Sequence, residues 1–152
     1  MKAAIIFLSI ICLSIPQAHA AADKTHFPAI FLGYTDSTDS FDFTYGIEYE
    51  YKFNQTWGAG FVYEKINNAH HGDGISVSVL ELFYHPMNNV RLGAGFGKEK
   101  IGGHHPHTED LARVSLAYEI HVGDFGIEPT FAVDFVGSHQ SYVIGLAFVR
   151  PF

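Results

Sequence analysis

The chain has 152 residues, room for one domain, and a formal net charge of −7 without a clustered basic stretch, which excludes nucleic acid as an expected partner. Only 16% of the residues are charged while 15% are aromatic, a balance unlike ordinary soluble domains, where about a quarter are charged. The single cysteine, Cys12, lies in the first apolar run, so a chain cleaved after that run has no disulfide and no thiolate for a metal.

Residues 1–20 read as a secretory signal. Lys2 supplies a basic start, Ala3 to Pro16 is almost unbroken apolar sequence, and Ala18-His19-Ala20 offers small residues around a cleavage site. The apolar run is shorter than the ~20 residues a spanning helix needs. The expected division is a signal over 1–20 and a mature domain over 21–152.

Beyond the signal no apolar stretch is long enough for a helical span, and period-two alternation takes over. Phe41, Phe43, Tyr45, Ile47, Tyr49, Tyr51 and Phe53 fall on one face, with Asp42, Thr44, Gly46, Glu48, Glu50 and Lys52 on the other. That is the pattern of a strand with two different environments. Strands are predicted at 27–34, 41–53, 56–66, 75–85, 90–101, 111–122, 125–136 and 141–152. In the fourth, Ile75, Val77 and Val79 suggest one phase and Leu80, Leu82 and Tyr84 the other, which a bulge would reconcile.

The connections alternate in length. Asn54-Gln55, Pro86 to Asn89 and Gly123-Asp124 are tight, whereas Thr35 to Ser40, Asn67 to Gly74, Gly102 to Asp110 and Gly137 to Gln140 are mostly longer and more polar. Short periplasmic turns and long external loops are the habit of bacterial outer-membrane barrels, with an even strand count. The reading is an all-β fold, an eight-stranded antiparallel up-and-down transmembrane β-barrel in the cell outer membrane. Both termini fall on the periplasmic side. Outward aromatics gather into two girdles: Tyr49, Tyr51, Phe53, Trp57 and Phe125 near one end, and Phe41, Phe43, Tyr63, Phe135 and Tyr142 near the other.

The closing segment, Tyr142-Val-Ile-Gly-Leu-Ala-Phe-Val-Arg-Pro-Phe152, resembles the last strand of outer-membrane barrel proteins, which end in Phe after an alternating apolar strand. Together with the signal and the eight strands, the mature chain resembles the small barrels that include outer membrane protein X and the membrane domain of outer membrane protein A. The resemblance implies insertion by the barrel-assembly machinery, and outer-membrane lipid and lipopolysaccharide as surroundings.

Parity sends Asp42, Glu48, Glu50, Lys52, Glu64, Arg91, Glu99, Arg113, Glu119, Glu128 and Asp134 inward, with Glu81, His85 and His121. In so narrow a barrel these form a packed polar plug, with ion pairs around Arg91 and Arg113. Gly58, Gly60, Gly93, Gly95 and Gly145 make room for them. Acids outnumber bases in this set, so a narrow cation or proton path is the rival reading.

A second constellation lies in the loops. His70, His71, His104, His105, His107 and His139 project from one end, beside Asp73, Glu109 and Asp110. Imidazole with carboxylate suits a divalent metal such as zinc, although the spacing matches no ligand motif. His139-Gln140-Ser141 is similar to the His-x-Ser-Asn of lipid A deacylases, but Tyr142 replaces the Asn and no acid follows. The expected function is therefore non-enzymatic: a barrel with a plugged polar interior and loops for surface interaction or envelope maintenance. A lipid A-modifying barrel enzyme and a soluble periplasmic ligand-binding barrel are the alternatives.

Overall fold

The computed structural model describes residues 24–37, 40–67 and 74–152. The signal over 1–20, Cys12 and the loop residues His70, His71 and Asp73 lie outside the described residues.

Strand segments follow in chain order: β1 (His26–Ser37), β2 (Ser40–Lys52), β3 (Trp57–Ile66), β4 (Ile75–Met87), β5 (Val90–Ile101), β6 (His107–Tyr118), β7 (Ile120–Val122), β8 (Phe125–Val136) and β9 (His139–Val149). β6 and β7 both run along β8, and β9 pairs antiparallel with β1. They are two parts of one stave interrupted at Glu119, so eight staves close into an antiparallel barrel. The chain ends lock the seam, with Thr25 and His26 N–H donating to the Phe152 carbonyl at 3.2 and 3.0 Å. Phe152 N–H donates back to the His26 carbonyl at 3.0 Å.

The interruption at Glu119 has a local cause. Glu119 N–H turns towards β5 and donates to the Asn89 carbonyl at 2.7 Å. Backbone groups alternate along a strand, so Tyr118 is the residue aimed at β8. The register from Ala117↔Thr130 to Ile120↔Ile127 sets Tyr118 opposite Pro129. A hydrogen-bonded antiparallel pair exchanges two bonds, and Pro has no N–H to give one of them.

Alternation sorts the side chains as the sequence indicates. Leu80 and Phe96 are 71% and 79% exposed on the outer wall, while Glu50 and Asp134 are each 2% exposed inside. A wall of large apolar residues on every stave is unfavourable in water and suited to hydrocarbon. Aromatics cluster at its two margins: Trp57 lies 4.9 Å from Tyr84 and Tyr51 5.7 Å from Phe53 at the terminal end, and Tyr34 stacks on Phe41 at 5.0 Å near the loop end.

Three expectations are corrected. β4 keeps one phase, with Ile75, Val77, Val79, Glu81, Phe83 and His85 all buried. The apparent phase change is a change of lumen chemistry from apolar to polar, and the bulge lies lower, between Tyr84 and Met87. The third loop is shorter than predicted, because β6 begins at His107 and pairs it with Ile101. The final strand runs from His139 to Val149 rather than to Phe152, although the backbone bonds of Arg150 to Pro28 and Phe152 to His26 carry the seam to the chain end.

Two-residue turns sit at Gly123-Asp124 and Gly137-Ser138. Their glycines have φ of 63° and 55°, the left-handed conformation that the tightest hairpins require.

Candidate functional site

An eight-stave lumen is just wide enough for side chains to fill, and two arginines organise it. Arg91, on β5, donates from Nη2 to Glu48 Oε2 of β2 at 2.9 Å and lies 3.1 Å from Glu128 Oε2 of β8. Its Nη1 is 3.7 Å from Glu50 Oε2, whose other oxygen meets His85 Nε2 at 2.6 Å. The Phe83 ring lies 4.8 Å from the guanidinium carbon, so the cation has an aromatic face as well as carboxylates.

Arg113, on β6, forms a second centre nearer the loops. It takes both oxygens of Asp134 and also donates to Glu64 Oε2 on β3 at 2.7 Å. Between the two centres Ser115 donates to Glu81 Oε2 at 2.7 Å. This contact depends on Gly93, because a Cβ there would meet both the Glu81 carboxylate and the Ser115 hydroxyl. A cavity of about 10 Å³ remains among these groups, lined by Glu48, Glu64, Glu81, Arg91 and Arg113. Such a volume admits about one water.

The lumen is not polar throughout. Towards the loops Val62, Ile66, Val77, Val79, Leu111 and Val136 form a buried apolar layer. A second apolar group, including Phe27, Phe31, Val143 and Val149, lines the β1–β9 side. Phe31 packs over the facing pair Gly33 and Gly145, where added Cβ atoms would come within 2.7 and 2.6 Å of its ring.

Of the predicted interior residues, Glu48, Glu50, Glu64, His85, Arg91, Arg113, Glu128 and Asp134 are brought together in these two centres. Glu119 is buried but stands apart, its Oε1 3.1 Å from His121 Nε2. His121 keeps the inward face opposite Gly126, but it is exposed in the short β7, at the terminal end of the lumen rather than within the packed interior. Lys52 is only half-buried, with its ammonium 4.0 Å above the Phe27 ring rather than in an arginine centre. Ser115 is absent from the predicted interior set, although parity with Arg113 would have found it.

The rim residues are more dispersed. His104 and His105 are exposed in the β5–β6 loop, and His107 opens β6 with Nε2 3.6 Å from Glu109 Oε1. His139 opens β9. Among the described residues no three His, Asp or Glu side chains gather into a group that could hold a metal ion. Ser141 is buried against its register partner Asp134, and Tyr142 faces outward.

No protein-family model and no curated protein matches the sequence. Solved structures do match in shape. The N-terminal β-barrel domain of Pseudomonas aeruginosa OprF superposes with a TM-score of 0.65 at 12% identity, covering 85% of this chain and 99% of that one. Neisserial surface protein A gives the same score and identity, covering 85% and 97%. Ail, the attachment invasion locus protein of Yersinia pestis, reaches 0.53 at 15% identity, again over 85% and 97%. The fold is that of the small outer-membrane β-barrels. With its apolar wall and aromatic margins, the barrel resides in the outer membrane, and the ends carrying the long loops and the chain termini face opposite sides of it.

Proposed function

We propose that this barrel is a non-enzymatic outer-membrane protein whose interior is a plug and whose loops serve surface interaction or envelope maintenance. The observation that carries the reading is the bridging of the lumen by Arg91 and Arg113, which tie β5 to β2 and β8 and β6 to β3 and β8. The apolar layer above them adds a second barrier to ions. Glu48, Glu50, Glu64, Glu128 and Asp134 are thus held around two fixed cations, which supports a plug rather than an open path. Planar-bilayer recordings of the refolded barrel test this: no discrete conductance is expected, and single-channel steps would overturn the plug.

The enzymatic alternative has less support. Ser141 is buried inside the barrel, whereas a lipid substrate would approach from the outer wall. Lipid A from cells expressing the protein is expected to keep its acyl chains, and loss of an acyl chain would revive the hydrolase. Outer-membrane lipid and lipopolysaccharide around the wall, and the barrel-assembly machinery during insertion, are the partners this reading requires.

A further inference from the structure

Apart from the buried arginines, the described cations on the barrel staves are unevenly placed. Lys52 lies at the terminal end, and Lys65, Lys98 and Lys100 share one sector of the outer wall near the loops. The register shows how this sector is assembled. Lys65 on β3 pairs with Ser76 on β4, and Ser76 pairs with Lys100 on β5, so the three stand in one row on the outward face. Tyr45 of β2 extends the row beside Lys65, and its hydroxyl donates to Asn67 Oδ1 at 3.4 Å.

Strands lie about 4.8 Å apart, so the two lysine backbones are roughly 10 Å apart with Ser76 between them. Both flexible ammonium groups can therefore reach one anion centred over Ser76. The row borders a recess whose lining includes Lys65, Asn67, Ser76, Lys100 and Gly102. Lys98, one row lower, is occupied by Asp110 at 2.7 Å. Lys65 and Lys100 have no ion-pair partner among the described residues.

Depth identifies the ligand class. Closer to the membrane centre, one outward row is Phe61, Leu80, Phe96 and Ala112, well inside the apolar wall. Lys65, Ser76 and Lys100 lie two rows beyond it, at headgroup level on the loop side. A lysine pair with a hydroxyl donor suits a phosphate monoester there: two cations offset its charge and the Ser hydroxyl donates to a remaining oxygen. On an acidic chain, this sector is the place where an anionic headgroup would be attracted rather than repelled.

We propose that Lys65, Ser76 and Lys100 form a site on the outer wall for a phosphate group of a phosphorylated glycolipid in the surrounding leaflet. The test uses the whole refolded barrel in neutral detergent micelles, titrated with bisphosphorylated lipid A, the same lipid enzymatically stripped of phosphate, and inorganic phosphate. Lys65→Gln/Lys100→Gln should weaken binding of the phosphorylated lipid about tenfold or more, because both cations that face the phosphate are removed together. Lys65→Arg/Lys100→Arg should retain it, and the stripped lipid should bind the parent no better than the phosphorylated lipid binds the Gln variant. Lys24→Gln/Arg150→Gln removes the same charge at the opposite end and should leave binding unchanged.

Heat-modifiable gel migration checks that every variant is folded. Equal affinity of the parent and the Lys65/Lys100 Gln variant would overturn the site, as would equal weakening by the Lys24/Arg150 variant. Equal binding of the stripped lipid would remove the phosphate from the argument. Saturation by inorganic phosphate with the affinity of the lipid would assign the site to free phosphate and sink the glycolipid proposal.

Discussion

Arg113 and Asp134 face each other directly across β6 and β8, and the guanidinium takes both carboxylate oxygens, Nε to Oδ1 at 2.6 Å and Nη2 to Oδ2 at 2.7 Å. The same Nη2 reaches Glu64 on β3, so one cation satisfies two buried acids from separate staves. Replacing Arg113 by Met strands both acids, and breaking a buried pair from one side costs about 3–5 kcal/mol. Asp134→Asn should cost less, because Arg113 keeps Glu64. The triple variant Arg113→Met/Glu64→Gln/Asp134→Asn should recover much of the loss. Urea unfolding in lipid vesicles, followed by Trp57 fluorescence, measures all three, and an unchanged midpoint for Arg113→Met would show that the centre does not hold the staves together.

The staves were legible because parity is a local property. Phe41 to Phe53 announces two environments from thirteen consecutive residues, and no tertiary knowledge is needed to see it. Parity also sent Glu48, Glu50, Arg91 and Arg113 inward, but it could not tell which carboxylate each arginine meets. Those partners lie across the lumen, and their heights follow from how far each stave is shifted against the next. β4 was misread for another reason: its inward residues change from Ile75, Val77 and Val79 to Glu81, and a rule equating inward with polar mistakes that change for a slip in phase. The Lys65–Ser76–Lys100 row was invisible for the same reason as the ion pairs, since it exists only once three strands are in register.

Pro129 offers a backbone test of that register. It faces outward on β8 opposite Tyr118, leaving the Tyr118 carbonyl without the ladder donor it would otherwise receive. In Pro129→Val the new amide should complete the pair and join β6 to β7. The expected gain is about 1 kcal/mol, the net worth of one hydrogen bond. Hydrogen exchange should show that the amide introduced by the substitution is protected, with slower exchange around Glu119. Fast exchange of that new amide would mean that the interruption has another origin.

Phe152 separates stability from assembly. Its ring is 66% exposed and stacks on His26 at 5.3 Å with 17° between planes, while backbone bonds hold the chain end in place whatever the side chain. Phe152→Ala should therefore cost the folded barrel only the stacking interaction, about 0.5–1.5 kcal/mol. His26→Ala removes the same stack together with the hydrogen bond to the Tyr49 hydroxyl at 2.7 Å, and should cost at least as much. In cells the two should diverge: if the assembly machinery reads a terminal aromatic residue, Phe152→Ala lowers the amount of heat-modifiable barrel in the outer membrane several-fold while His26→Ala does not. Equal yields from the two variants would confine Phe152 to closing the β1–β9 seam.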